Sequence, residues 1–379
     1  MKKSTWWIVG IVVVVVIILV ISGTTKSTKT GPITIGFIGP LSGDGASFGE
    51  TEKNAVIMAV EEINLSDKFK NQPISVIYED GKCTGKDATL AIQKLINIDK
   101  VKVILGGVCS AETLAVAPIA EKNKVLLFSA FSSNPAISNS GDYIFRNSPS
   151  DSDVAKLDAQ TILDKNYKKV AIVSENSDYS QGVRNIMKGI IASSSASIVL
   201  DETFTGGTTD FRSYVAKVKQ SGADVVYINP ASSGKTGALF VKQLREAGVK
   251  IAVHGNFSLG TPDAYATGKG YLDGIIISDS TKISSRLQIL LDTYKQRFGN
   301  KAANDFEFGA SYDRTHIIAD AISAVGYDPD KIKQYLYDMP EYDGVIGKYR
   351  FNSNGDVTGG PFFTNYVISG ETKELLNKQ

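Results

Sequence analysis

The residues able to make or break bonds are few, and their spacing argues against bond chemistry. Gly45-Ala46-Ser47-Phe48-Gly49 matches the G-x-S-x-G frame of a nucleophile elbow. An elbow needs its serine at a sharp turn directly between strand and helix, with a histidine base in reach. Here the loop from Gly39 spends several residues before Ser47, and the chain holds only two histidines, His254 and His316. His316 falls in a helical pattern with Tyr312 and Ala319, so acyl transfer is not expected and the chain reads as a non-enzyme. Gly43 to Gly49, with Glu79-Asp80 ending the next strand, imitates a dinucleotide fingerprint. Its glycine spacing is off and Pro40 follows the strand directly, so no cofactor is expected. The two cysteines, Cys83 and Cys109, lie far in sequence from both histidines, which leaves no metal-ligand spacing. The glycine-rich loop can still do noncovalent work. A strand–loop–helix unit leaves free backbone N–H groups at the carboxyl edge of a parallel sheet, where small anionic groups bind.

The elements that must position this loop follow from periodicity. Ile33, Ile35, Phe37 and Ile38 form a short apolar run suited to a strand covered on both faces. The helix after it, Thr51 to Asn64, repeats Ala55, Val56, Ala59, Val60 and Ile63 at helical spacing. Further strands are expected at Ile74–Tyr78, Val103–Leu105, Val125–Phe128, Val170–Val173, Val225–Ile228, Ile251–His254 and Ile275–Ser278, with amphipathic helices between them. This alternation predicts an α/β fold of parallel sheets flanked by helices. One run ends near Tyr143–Asn147, and a second starts after Ser148-Pro149-Ser150-Asp151. Late strands are expected at Gly344–Phe351 and Pro361–Ile368, joined by the turn Asn352–Asp356. The simplest architecture is two lobes. Residues 32–148 with 281–357 form the first, and 149–280 with 358–379 form the second. Three crossings would make a hinge, and the cleft between lobes is the expected ligand site.

Charge and composition set the compartment. A net charge of +1, with both signs spread along 379 residues, lacks the clustered basic surface that nucleic acid requires. Met1-Lys2-Lys3 followed by the apolar run Trp6–Ile21 predicts a membrane anchor or signal over residues 1–22, its amino end cytoplasmic. Residues 23–31 are small and polar and read as a linker. The remainder is expected outside the cytoplasm, anchored by the first segment or secreted if that segment is cleaved. An even pair of cysteines in an exported chain predicts a disulfide, Cys83 to Cys109, since both follow strands at one sheet edge.

Residues across the chain carry a family resemblance. Gly39-Pro40-Leu41-Ser42-Gly43 follows the first strand, Glu79-Asp80 and then Cys83 the second, and Gly106-Gly107-Val108-Cys109-Ser110 the third. Ser129–Ser133 follows the fourth, and Ser177-Asp178-Tyr179-Ser180-Gln181-Gly182 opens the second lobe. From about Ile33 to Ile368 the chain resembles the type I periplasmic solute-binding proteins, in particular the branched-chain amino acid and amide binding proteins of ATP-driven importers. The resemblance implies a two-lobed clamp, a small-molecule ligand, a permease of the ABC type as partner, and a monomer. It also implies that Ser110 and Ser133 hold a ligand carboxylate. Ser110 begins a helix with Ala111, so hydroxyl and N–H groups can face an anion there. Ser133 sits in a similar loop beside Phe131 and Ser132. Tyr179 aligns with a tyrosine reaching in from the second lobe, and Phe48 with an aromatic against the ligand.

At one position the pattern breaks. Relatives that bind amino acids carry a glutamate after the seventh strand to pair with the ligand ammonium. Here the segment is Val253-His254-Gly255-Asn256-Phe257-Ser258, without a carboxylate. A buried ammonium without a counter-charge is costly. Either Asp178, Asp279 or Glu307 takes the role, or the ligand is a neutral amide or a carboxylate without ammonium, which Asn256 and Phe257 suit better. Asn229-Pro230 and Ser232 can add hydrogen bonds. The expected function is solute binding for an importer. The alternative is a ligand-binding sensor subunit working with a separate membrane signalling partner.

Overall fold

The apolar run at the start becomes β1 (Ile33–Gly39), and its side chains alternate between two cores. Ile35 and Phe37 enter one apolar cluster, and Ile38 enters another on the opposite face. The computed structural model describes residues 31–231, 233–281, 284–359 and 363–376. Residues 1–30, which hold the expected anchor and nearly all of the linker, lie outside the described residues, as does Ser232. After β1 come α1 (Ala46–Leu65), β2 (Ile74–Asp80), α2 (Gly85–Asn97), β3 (Val103–Gly106), α3 (Ser110–Lys122), β4 (Leu126–Ser129) and β5 (Ile144–Arg146). These strands form an all-parallel sheet in the order β2-β1-β3-β4-β5. Both faces are covered, and each fully buried large apolar side chain stabilises by about 1.5–3 kcal/mol relative to exposure.

The second lobe repeats the arrangement. It runs through α4 (Asp151–Asp164), β6 (Lys169–Glu175), α5 (Asp178–Ala192), β7 (Ser197–Phe204), α6 (Arg212–Ser221), β8 (Val225–Asn229), α7 (Gly234–Glu246), β9 (Ala252–Gly255), α8 (Pro262–Thr267) and β10 (Ile276–Ser280). The chain then returns to the first lobe as α9 (Ser285–Phe298), α10 (Asp305–Val325) and α11 (Pro329–Asp338). Leu287, Tyr294, Phe308 and Ile318 from this return share one cluster with Ile35 and Phe37. Three short strands follow, β11 (Tyr342–Gly344), β12 (Gly347–Phe351) and β13 (Val357–Gly359), and then β14 (Phe363–Ser369) and β15 (Thr372–Leu375). The last two strands complete a seven-stranded mixed sheet, β15-β14-β10-β9-β8-β6-β7. The chain therefore passes between lobes after β5, after β10 and after β13.

Three details differ from the sequence reading. The turn at Asn352 joins β12 to β13, not to the last long strand: Phe351 pairs with Val357, while Phe363 pairs with Ser280 in the other sheet. The turn is tight because Asn352 Oδ1 accepts the N–H groups of Asn354 and Asp356, and Gly355 adopts φ 72°. The strand expected over Gly344–Phe351 is instead a hairpin, with the turn at Val345 and Ile346 separating β11 from the antiparallel β12. β7 was not expected at all; it is an edge strand of mixed polarity, paired along one side with β6.

Candidate functional site

The loops after β1, β3 and β4 meet the loops after β6, β7 and β8 across a gap that encloses about 500 Å3. On the first-lobe side the wall is the start of α3. Cys109 occupies the N-cap, Ser110 is the first helical residue, and Ser110 and Ala111 border the gap. N–H groups in a first helical turn have no intrahelical partner, so this end presents donors and a partial positive charge. Ser110 is buried, and its Oγ accepts the Asn134 N–H at 3.2 Å, which leaves its own proton available.

Glu112 holds that wall in place. Its carboxylate accepts the N–H groups of Cys83, Val108 and Cys109, each at 3.0 Å. Burial pushes the Glu112 carboxyl up to about 7, and those three N–H groups act in the opposite sense. Cys83 and Cys109 form the expected disulfide, with Cα atoms 5.2 Å apart, one residue before Ser110. Ser133 also borders the gap. Its hydroxyl donates to Asp151 Oδ2 at 2.8 Å rather than into the open space.

The second-lobe wall is the start of α5. Ser177 caps it, Asp178 is exposed at its first turn, and Tyr179 lies half-buried over the gap. Burial, with Asp151 and Asp158 nearby, holds the Tyr179 hydroxyl well above the usual phenol range, so it stays a donor. Glu175 ends β6 and is buried at 2% exposure, yet it borders the gap; its Oε2 accepts the Ala231 N–H at 2.8 Å.

Four aromatic rings close the inner end. Phe131 lies 5.2 Å from Phe257, and Phe48 lies 5.6 Å from Phe131 and 6.3 Å from Phe257. Tyr179 completes the set at 6.1 Å from Phe257. Phe48 and Phe131 belong to the first lobe and Phe257 and Tyr179 to the second, so the rings bridge the lobes. Phe257 also borders a second opening of about 560 Å3 between the lobes, whose wall includes Asp279, Lys301 and Lys373. The lobes are in close contact at the outer rim too. Asn134 Nδ2 donates to the Asp178 carbonyl, and a Cβ on Gly182 would come within 2.9 Å of that nitrogen. On the other side, a Cβ on Gly207 would come within 2.8 Å of Asp44 Oδ2.

Of the residues singled out from sequence, Phe48, Ser110, Ala111, Phe131, Ser133, Tyr179 and Phe257 border the gap. Asn256 does not. It is fully buried behind Tyr179, and the two hydrogens of its Nδ2 go to Asn229 Oδ1 at 2.8 Å and the Pro230 carbonyl at 2.7 Å, with Tyr179 Oη also in reach at 3.3 Å. Asn229 is likewise buried and donates to the Ser180 carbonyl. Two of the candidate acids are elsewhere. Asp279 pairs with Lys373 at the second opening, and Glu307 is buried beside Glu52 and Arg314 in the first-lobe core. Ser47 is the second residue of α1, while His254 is buried against Asp158 in the other lobe. Sequence reasoning missed Glu175, an acid at the carboxyl end of a buried parallel strand. That placement is itself the signal for a ligand contact in open α/β sheets.

Residues 32–369 match a family model described as periplasmic binding protein. The chain belongs to this family. Its binding-protein relatives include Leu/Ile/Val-binding protein homolog 3 of Brucella melitensis, 27% identical over 338 residues, covering 87% of this chain and 90% of that one. An amino acid binding protein of Pseudomonas aeruginosa is 26% identical and covers 89% of each chain. Among solved structures, the branched-chain amino acid transporter substrate binding protein LivJ of Streptococcus pneumoniae, in complex with isoleucine, superposes with a TM-score of 0.80. It is 25% identical, with 90% of this chain and 98% of that one covered. A solute binding protein of an ABC transporter from R. palustris, in complex with benzoate, has a TM-score of 0.81 at 19% identity, covering 91% and 96%, and shares the fold. The chain is thus a periplasmic binding protein, a solute-binding class located outside the cytoplasm. Among the described residues no helix is long and apolar enough to cross a membrane.

Proposed function

We propose that this protein is the extracytoplasmic solute-binding component of an ABC importer, and that it captures a small amino acid in the gap between its lobes. The observation that carries this reading is the polarity of the gap. Helix-end N–H groups and the Ser110 hydroxyl lie on one wall, and the Glu175 carboxylate with the Tyr179 hydroxyl on the other. A zwitterion satisfies both walls at once: its carboxylate meets the donors of the first lobe, and its ammonium meets Glu175. Glu175 thereby supplies from β6 the counter-charge that Asn256 lacks. The four rings take the ligand's apolar side chain, and Asn256 acts behind Tyr179 as a positioning residue. Ligand docks on the first lobe, the second lobe closes over it, and the permease reads the closed rim. Residues 1–22 would tether the protein to the membrane.

An aromatic carboxylate is the second reading, favoured by the number of rings at the inner end. The two separate on one variant. Glu175→Gln is expected to weaken an amino acid by at least tenfold, and to leave benzoate unchanged or improved, by calorimetric titration. Equal affinity of wild type and Glu175→Gln for L-leucine, L-isoleucine and L-valine would remove the zwitterion reading.

A further inference from the structure

The Ser133 hydroxyl has one proton, and that proton is already committed. It goes to Asp151 Oδ2 at 2.8 Å, while the Asp151 N–H donates back to the Ser133 carbonyl at 2.9 Å. Ser133 is on the wall of the gap, and Asp151 is the first residue of α4, immediately past the first crossing between lobes. Two hydrogen bonds therefore tie a candidate ligand donor to the hinge. Both side chains are buried, at 7% and 3% exposure. A ligand carboxylate has no proton to give, so it can bond Ser133 Oγ only through the O–H that now serves Asp151. One hydroxyl cannot satisfy two carboxylates.

We propose that Ser133 and Asp151 form a proton-coupled relay, in which capture of a carboxylate-bearing solute is accompanied by uptake of one proton from solvent onto Asp151. The protonated Asp151 then donates its O–H to Ser133 Oγ, and the Ser133 O–H turns to the ligand. No covalent bond other than that O–H changes. The inference rests on Ser133 acting as a ligand donor, as in the function proposed above.

The surroundings favour the step. Burial raises the Asp151 carboxyl to about 7, so the proton is accessible near neutral pH; the Ser133 hydroxyl and Arg146 act in the opposite sense. Arg146 is itself taken up by Asp356 Oδ1 at 2.6 Å, the Asn134 carbonyl at 2.9 Å and Ser138 Oγ at 2.9 Å. The other charged or titratable groups around Asp151 add negative charge or none. Asp158, on the same helix, bonds His254 at 3.0 Å and Tyr227 at 2.8 Å. The Tyr179 and Tyr227 hydroxyls stay protonated through burial. Asp279 shares a small cavity with Asp151, but pairs with Lys373. An arriving carboxylate adds a second negative charge on the far side of Ser133, which raises the proton affinity of Asp151 further.

The test is calorimetric titration of the protein with L-leucine, L-isoleucine, L-valine and benzoate, at about pH 7.5, in phosphate and in Tris. Expected is a binding enthalpy that depends on the buffer, with net uptake of a large fraction of one proton per ligand. Affinity should fall by up to about tenfold per pH unit above the Asp151 value. In Asp151→Asn the amide N–H donates to Ser133 permanently, so uptake should vanish and the pH profile should flatten. Should that variant fail to fold, Ser133→Ala, which lacks the relay hydroxyl, is expected to lower the uptake, and the wild-type measurement needs no variant. A wild-type enthalpy independent of buffer, or equal uptake in Asp151→Asn, overturns the relay while the function stands. Failure of all four compounds to bind overturns the proposed function, and the relay with it.

Discussion

Phe257→Ala is expected to weaken ligand binding while leaving the ligand-free protein folded. Phe257 belongs to the second lobe by chain position, yet its ring packs against the apolar cluster of the first lobe, and it is not part of the second-lobe core. Its contacts with Phe131 at 5.2 Å and Phe48 at 6.3 Å both cross the gap, and both are edge-on, at 75° and 73°. Such ring pairs are worth about 0.5–1.5 kcal/mol each beyond buried area. Two cross-lobe pairs therefore favour the closed arrangement by about 1–3 kcal/mol, which converts to roughly fivefold to 150-fold in affinity. The assay is calorimetric titration of wild type, Phe257→Ala, Phe131→Ala and the double variant. The cycle should return a coupling of about 0.5–1.5 kcal/mol between the two rings. Each lobe should melt as in wild type when ligand is absent, because the lost contacts lie between lobes. Binding by Phe257→Ala within about twofold of wild type, or a ligand-free melting shift as large as the affinity loss, would refute the closure argument.

Tyr179→Phe should weaken binding by about 0.5–1.5 kcal/mol without loss of stability, because Asn256 Nδ2 keeps Asn229 and Pro230 as acceptors; paired titration and thermal melts check both parts. Replacing Cys83 and Cys109 together by serine should cost about 3–4 kcal/mol in denaturant unfolding, the loop-closure value for their separation, and should also weaken ligand, since Ser110 follows Cys109 directly. In the first-lobe core, Arg314→Met strands the buried Glu52 carboxylate, which it bonds at 2.8 Å, and should cost about 3–5 kcal/mol. Glu307→Gln should be neutral or stabilising by the same unfolding assay, since neither carboxyl oxygen of Glu307 finds a donor among the described residues and burial pushes its carboxyl well above the usual range, against the charged form. Stability should also depend on pH. Glu112, Asp151 and Asp313 have folded values raised by burial to about 7, above their unfolded values near 4, so the folded state binds these protons more tightly. Stability from them is greatest below the unfolded values and is lost as pH rises through about 7, so the urea midpoint should be lower at pH 8 than at about pH 5. A midpoint that rises over that interval would contradict the assignment. The groups with lowered values, such as Asp201 beside Arg184 and Lys188, act in the other direction, but in a window below about pH 4.

The legible parts of this chain were those whose physics is local. The strand–loop–helix at Ile33–Glu50 announced itself through apolar periodicity and glycine spacing, and the two lobes followed from repetition of that unit. The start of α3 was legible for the same reason: Ser110 and Ala111 open a helix at the carboxyl edge of a sheet. What stayed hidden depends on long-range geometry. Asn256 carries a side chain suited to a ligand, but its backbone position turns it behind Tyr179, where it pairs with Asn229 from the neighbouring loop. Asp279 and Glu307 have the right charge, yet the fold assigns them to Lys373 and to the Glu52–Arg314 core. Glu175 was overlooked because an acid ending an apolar strand looks like a solvent-exposed terminus, whereas the neighbouring loop at Ala231 takes up its carboxylate and it is buried. The bond from the Ser133 hydroxyl to Asp151 was hidden too, because Asp151 lies across the crossing and no local pattern connects the two.

A crystal structure of the protein grown with L-leucine or L-isoleucine tests the central claim most directly. Expected is one ligand between the lobes, its carboxylate within hydrogen-bond reach of Ser110 and Ser133, its ammonium against Glu175, and Phe48, Phe131 and Phe257 around its side chain. A ligand seated in the Asp279–Lys373 opening, or one held in the gap with its carboxylate on the Glu175 side, would contradict it.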